Sequence, residues 1–452
     1  MCIFAIPNPT QMKHLFILTF TLLMGTALTH AQDTNYIVTL LADDTTFFME
    51  PRHPHHPSAL GISSDNSMHL LYDLPVTHRE LIQGCRHLTL DIDAAGFFFD
   101  AEYATPFAKG FSVAGFRLSP ALAYGINEKA QLRVGLNATA FAGLDSLYRL
   151  RPTFSLIYAP TKWLTLVAGT IYGNNTHQLA PAVYDPSRWI YNYQEDGLQI
   201  LTKTSIWSSD TWLDWNHYLT PWTADQERFT MGTNHIFRIA KLNIEKKVWD
   251  GCDLDKYNQL GWQFNLPVHF IASHRGGEVK TIDTNTVTTF NERVGLQIKY
   301  SFSNTFTPSF HTFKLDASLY NYHLEDKTLD HGGKAFYPTL SYEWLNWNQY
   351  HLSHFSLRAI AGYWHGDHYF SAFGSPLFWS ANAYSALHIP ASASLAGATD
   401  IRNLLTFTIS AEHEFKGLNL GLQVDALYDL NLKKTDFLFG FYMRFREKII
   451  LL

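Results

Sequence analysis

Segments of nine to fifteen residues that alternate apolar and polar side chains recur along most of this chain. Neighbouring side chains of a β-strand point to opposite faces, so such alternation predicts strands with one apolar and one polar face. Phe116, Leu118, Pro120, Leu122 and Tyr124 alternate with Gly115, Arg117, Ser119, Ala121, Ala123 and Gly125. Leu132, Val134, Leu136, Ala138 and Ala140 alternate with Gln131, Arg133, Gly135, Asn137 and Thr139. Near the C-terminus Leu418, Leu420, Leu422, Val424, Ala426 and Tyr428 oppose Asn419, Gly421, Gln423, Asp425 and Asp429.

A soluble sandwich and a membrane barrel share this alternation and differ in which face meets the surroundings. Here the polar face carries Gly, Ala, Ser, Thr and single charges, while the apolar face often ends in Tyr, Trp or Phe, as an interfacial girdle does. Aromatic residues make up 15% of the chain and charged residues only 16%, a balance that favours the barrel. The net charge of −6 excludes a basic nucleic-acid surface. One apolar run, residues 15–28 behind Met12-Lys13-His14, reads as a signal peptide ending near Ala31. With no later stretch of the ~20 apolar residues a spanning helix needs, a closed barrel is the remaining way to satisfy the backbone in lipid.

The fold class expected is therefore all-β, an antiparallel transmembrane β-barrel of about 16 strands. They start near residues 94, 112, 129, 148, 162, 196, 211, 226, 258, 288, 308, 335, 350, 402, 417 and 433. Residues 1–31 form the signal peptide, with Met12 as an alternative start; residues 32–93 form a periplasmic or lumenal extension; residues 94–448 form the barrel. Short turns are expected at Asn127-Glu128-Lys129, Pro160-Thr161-Lys162, Ser209-Asp210, Trp347-Asn348-Gln349 and Lys416-Gly417, and long loops at 174–195, 276–287, 325–334 and 366–401. Long and short connections alternate, which places both barrel ends in the periplasm. The long segment 240–257 breaks that rule and would raise the count to 18 if it held a strand pair. Cys85 and Cys252 either pair or stand as isolated thiols.

Lumen-facing positions set selectivity in a barrel. Arg117, Arg133, Arg151, Lys203 and Arg444 fall on the expected inward phase, as do Asp100, Glu102, Glu412, Glu414, Asp425 and Asp429. They read either as a charge-segregated wall or as salt-bridged packing in a plugged lumen. Loop 366–401, with Tyr369, Phe373, Phe378 and Trp379, is too apolar to be simply solvated; it enters the lumen as a constriction or covers the mouth. His53, His55 and His56 are separated by prolines, which argues against a defined metal site. In Glu412-His413-Glu414 the histidine points away from the carboxylates, and Ser353 and His354 face apart. The aromatic run 212–218 reads as girdle ahead of a carbohydrate platform. No zinc, P-loop or dinucleotide motif appears.

The terminal segment Gly440-Phe441-Tyr442-Met443-Arg444-Phe445 resembles the assembly signal of porin-like outer-membrane proteins of Gram-negative bacteria. Residues 173–199, with His177, Pro181, Tyr184, Asp185, Glu195 and Gly197, and residues 212–227 are similar to Bacteroidota members of that group. The resemblance implies export through the periplasm to the outer membrane. It implies partners among outer-membrane lipid, small polar solutes, and envelope proteins or further copies of the chain, with no nucleic acid. The function expected is a passive channel for small hydrophilic solutes. The alternatives are a plugged barrel anchoring an uptake or secretion complex and, less favoured, a lipid hydrolase. No cofactor and no enzymatic activity are expected, because no nucleophile and base share a face.

Overall fold

The computed structural model describes residue 81 and residues 85–108, 110–217, 227–243, 261–276, 287–304, 309–326, 330–348, 353–380, 400–415 and 418–451. The expected signal peptide, the histidines at 53, 55 and 56, and Cys252 lie outside the described residues; Cys85 is a free thiol.

Sixteen strands form, most of them starting within three residues of the expected positions. The first eight are β1 (Leu88–Glu102), β2 (Phe111–Asn127), β3 (Ala130–Phe141), β4 (Arg149–Thr161), β5 (Leu164–Thr170), β6 (Asp196–Lys203), β7 (Trp207–His217) and β8 (Glu227–Asn243). The rest are β9 (Gly261–Gly276), β10 (Val287–Asn304), β11 (Ser309–Asp326), β12 (Asp330–Asn348), β13 (Ser353–Asp367), β14 (Ile401–Phe415), β15 (Leu418–Asp429) and β16 (Lys434–Ile450). Each pairs antiparallel with its sequence neighbours, and β1 pairs with β16 to close the ring. Among the described residues no helix is long and apolar enough to cross a membrane.

The distribution of side chains separates a membrane barrel from a sandwich. Leu296, Leu315, Phe407 and Phe441 are exposed on the outer face, whereas Arg293, Lys299, Lys314 and Asp316 are buried inside. An apolar exterior around a polar interior suits lipid outside. At the seam, Phe98 of β1 stands opposite Phe441 of β16 on the outer face, and Asp93 takes hydrogen bonds from Arg444 and Arg446 on the inner face. Closure leaves no sheet edge to face hydrocarbon.

Three local features differ from the sequence reading. β1 begins at Leu88, ahead of the expected start at 94, which brings Asp91 and Asp93 into the wall. The turn expected at Ser209-Asp210 lies at residues 204–206 instead, so both residues sit within β7. The loop expected at 325–334 is mostly strand, because β11 continues to Asp326 and β12 starts at Asp330. β8 pairs directly with β9, so the count is sixteen and no extra pair enters the ring between them.

Leu315, half-exposed on the outer face of β11, gives a direct test of orientation. Leu315→Arg is expected to destabilise the barrel by about 2–4 kcal/mol in phospholipid vesicles, as a cation on a lipid face does. Urea unfolding followed by tryptophan fluorescence measures it. A change within about 0.5 kcal/mol, the usual result at a water-exposed site, would contradict the orientation.

Candidate functional site

Residues 171–195 and residues 368–380 lie at the rim opposite the start of β1 and the end of β16, and both segments turn into the lumen. β5 has only seven residues, and the chain after it passes inward through a 3-10 turn at Asn174–His177 and a helical turn at Arg188–Tyr191 before joining β6. Asn174 and Gln178 adopt left-handed backbone conformations that bend this path. Asn tolerates that conformation better than most residues. Asn174 also fastens the loop to itself, donating from Nδ2 to the carbonyls of Asn192 at 3.0 Å and Tyr193 at 2.7 Å.

Side chains of the wall hold this loop in place. The Arg117 guanidinium lies 4.3 Å from the Trp189 ring and 3.8 Å from the Tyr193 ring, and donates to the Trp189 carbonyl at 2.6 Å. Arg149 donates to Asn192, Arg151 pairs with Asp196, and Arg444 donates to the Tyr193 hydroxyl at 3.2 Å. Asn234 of β8 donates to the carbonyls of His177 and Gln178.

Residues 368–380 enter from the other side and interlock with residues 180–185. Tyr369 Oη donates to the Ala182 carbonyl at 3.1 Å and Ser371 Oγ to the Val183 carbonyl at 2.9 Å. The Asp185 amide donates to the Phe373 carbonyl at 2.6 Å and the Ser375 amide to the Pro181 carbonyl at 2.9 Å. A Cβ on Gly374 would collide with the Ala182 carbonyl oxygen, so the close approach requires glycine here. Tyr369 and Phe378 are buried, and Phe373 and Trp379 are partly buried against the same apolar cluster. The described part of this loop packs against the first loop and the inner wall.

Beneath the crossing of the loops sits a chain of acid–base groups. His177 Nδ1 is 2.8 Å from Asp210 Oδ2 of β7, and Nε2 is 2.9 Å from Glu195 Oε2 at the end of the loop. Glu195 Oε1 accepts from the Asn174 amide at 3.1 Å and from the Tyr184 hydroxyl. The imidazole stacks on Trp212 with centroids 3.6 Å apart. His177, Glu195 and Asp210 have side-chain exposures of 0%, 2% and 1%, so bulk water does not screen the charges. Burial opposes protonation of His177, but Asp210 and Glu195 together outweigh it and raise its pKa to about 9. Glu195 is held below the ordinary carboxylate range: burial pushes it up, and His177 more than reverses this. Burial and Glu195 keep the Tyr184 phenol protonated, and Arg188 lies beside its ring, over Phe373. The arrangement holds an imidazolium donor, an ionised carboxylate and a phenol donor in one line.

The family profile of lipid A 3'-O-deacylase-type proteins matches residues 82–452. The chain belongs to that family. Membership points to enzymatic activity and corrects the expectation of a non-enzymatic barrel, which rested on finding no nucleophile beside a base in the sequence. The sequence matches no curated relative. Among solved structures the fold is similar to the loop L8 deletion mutant of OmpT from Vibrio cholerae, at 10% identity and a TM-score of 0.42, covering 80% of this chain and 99% of that one. It is also similar to OprD of Pseudomonas aeruginosa, at 10% identity and 0.41, covering 83% and 97%. OprB of Pseudomonas putida matches at 8% and 0.46, covering 82% and 96%. The chain is a closed sixteen-stranded β-barrel of the bacterial outer membrane.

Within this family member the residues singled out in the sequence fall into several groups. Arg117, Arg151 and Arg444 face inward and hold the first loop, while Arg133 pairs with Asp91 at 3.1 Å. Asp429 pairs with Arg402 at 3.0 Å, and Arg402 in turn donates to the Trp379 carbonyl of the second loop. Asp425 accepts from Thr408 and Gln423. Lys203 and Glu412 lie on the inward phase; the side chain of Glu414 lies outside the described residues. Asp100 and Glu102 correct the reading, because Phe97, Phe99 and Ala101 are buried inside and both acids fall on the outward phase with Phe98. Asp100 meets Ser112 there, opposite it on β2. The carboxylates of β1 that do face inward are Asp91 and Asp93. Asp210 escaped the sequence reading because it was placed in a turn; a β7 start at Trp207 puts Ser208, Asp210, Trp212 and Asp214 on one inward face. Among the described residues no cluster of metal-ligating type is present.

His177 makes the hold of the first loop on the barrel wall depend on pH. Its pKa rises from 6.5 to about 9 in the folded loop, so its stabilisation is complete below about pH 6.5 and is lost as pH rises through about 9. Proteolysis of residues 171–195 is expected to accelerate between pH 8 and 10. His177→Ala, which leaves two buried carboxylates without their cation, is expected to destabilise the loop by about 3–5 kcal/mol at pH 7 and to abolish that pH dependence. A wild-type rate independent of pH would contradict the assignment.

Proposed function

We propose that this protein is an outer-membrane acyl-ester hydrolase acting on lipids of the lipid A class, and that it is not an open diffusion channel. The observation that carries the reading is the continuous chain Asp210, His177, Glu195 and Tyr184 near the loop-bearing end of the barrel. Membership in a family named for lipid A 3'-O-deacylation supplies the substrate class. The expected passage of small hydrophilic solutes fits poorly with two loops interlocked across the lumen.

Ester hydrolysis needs an acceptor for the proton of the attacking water, a donor for the leaving hydroxyl, and positive charge near the carbonyl oxygen. Glu195 is the acceptor, kept ionised by His177, whose orientation Asp210 fixes. Water adds to the acyl carbonyl and gives its proton to Glu195. Collapse of the tetrahedral intermediate breaks the bond to the sugar oxygen, which takes that proton, and the fatty acid leaves. Once Glu195 takes the proton, the Tyr184 hydroxyl that it had engaged turns to the developing oxyanion, and Arg188 beside the Tyr184 ring adds positive charge. Because Tyr184 and Glu195 are buried, residues 368–380 withdraw before substrate enters; Phe373 of that loop stacks on Tyr184.

Mass spectrometry of lipid A from cells carrying the wild-type chain, Glu195→Gln or Tyr184→Phe tests this. Loss of one ester-linked acyl chain is expected with the wild type, and retention with Glu195→Gln, whose rate falls at least 100-fold, in the range for loss of a general base. Unchanged lipid A in wild-type cells, together with discrete conductance of the purified protein in planar bilayers, would overturn the hydrolase in favour of the channel.

A further inference from the structure

The lumen also contains a cavity of about 110 Å³, reached by side chains from the first loop, the segment after β1, and strands β10, β11 and β15. The residues that matter are Tyr103, Asp185, Arg293, Lys314, Gln423 and Asp425. Arg293 is already paired with Asp316 at 2.8 Å, and both are buried.

Gln423 is the informative member. Its side chain is 5% exposed, its Nε2 donates to Asp425 at 2.6 Å, and its Oε1 has no hydrogen-bond partner. The amide cannot be reversed, because that would set its oxygen against a carboxylate. A buried carbonyl left without a donor is disfavoured by about 1–3 kcal/mol, so native structures seldom leave one.

Its neighbours have the same requirement. The hydrogen bonds to Asp425 come from a hydroxyl and an amide, neither of which carries charge. Asp185 accepts from the Ser187 amide, and burial raises its pKa. Tyr103 lies close enough to Asp185 and Asp425 to feel both charges. The lining carries three carboxylates, Asp185, Asp316 and Asp425, against two cations, Arg293 and Lys314, and this excess of negative charge beside an unpartnered carbonyl calls for a ligand that brings several N–H donors and a positive charge.

We propose that this cavity binds a small primary ammonium ion, with its N–H groups directed at Gln423 Oε1 and at the carboxylates of Asp425 and Asp185. The volume suits a molecule of a few heavy atoms, such as ethanolamine. The site shares both loops with the acid–base chain around His177 but none of its side chains, so a binding measurement reads it apart from hydrolysis.

Isothermal titration of the detergent-solubilised full chain with ethanolamine tests it, with ethylene glycol as the uncharged counterpart. Saturable binding of ethanolamine and none of ethylene glycol is expected, and Asp425→Asn or Asp185→Asn is expected to weaken binding by about tenfold or more, the loss of one charged hydrogen bond. Asp185 lies in the loop, so its variant preserves the test if the change in β15 impairs assembly. No binding of ethanolamine, equal binding of ethylene glycol, or undiminished binding in the folded variants would overturn the proposal.

Discussion

The inward path of the first loop of this barrel depends on one histidine held between two carboxylates. Asp210 belongs to the wall and Glu195 to the base of the first inward loop, and His177 joins them with both ring nitrogens where water does not reach. Either carboxylate alone at that depth would be strongly disfavoured. Together with an imidazolium they satisfy one another and fix the path of residues 174–195. That path carries Ala182, Val183 and Asp185 to the positions where the second loop meets them.

The same logic governs the rest of the interior. Hydrocarbon outside forces the backbone into a closed ring and apolar side chains outward, which leaves charged residues to the lumen. An open aqueous lumen would solvate them. Here Arg117, Arg293 and Arg402 are almost fully buried and meet aromatic rings, carboxylates and loop carbonyls. The inward arginines therefore serve as fastenings for loops, and the lumen resembles the core of a soluble protein in its packing. The acid–base chain around His177 is buried there, and exclusion of water strengthens every charge interaction within it.

The barrel was legible in the sequence because its signal is local: a side-chain period of two, repeated sixteen times, with alternating connection lengths. Errors arose where the local signal was ambiguous. Phe97, Phe98 and Phe99 are consecutive and fit either phase, so Asp100 and Glu102 were expected inside, while Asp91 and Asp93 fell before the expected start. Ser209-Asp210 has the composition of a turn, and reading it so hid the wall partner of His177. The plug itself had no local signature, since Ser371 and Val183 meet from 188 positions apart. Loop 366–401 announced only that it was too apolar for water. The expectation of no enzymatic activity is overturned by the family match; the buried cluster of His177, Glu195 and Asp210 was not legible, because its members are separated in sequence and folding alone brings them together.

The account stands on the charge state of His177, which nitrogen-15 NMR of the selectively labelled protein in micelles reads directly. The structure predicts that at pH 7 both ring nitrogens carry protons and that the ring titrates near pH 9. A neutral ring at pH 7 would contradict it, because the two buried carboxylates would then lack the cation that holds the first loop to the wall.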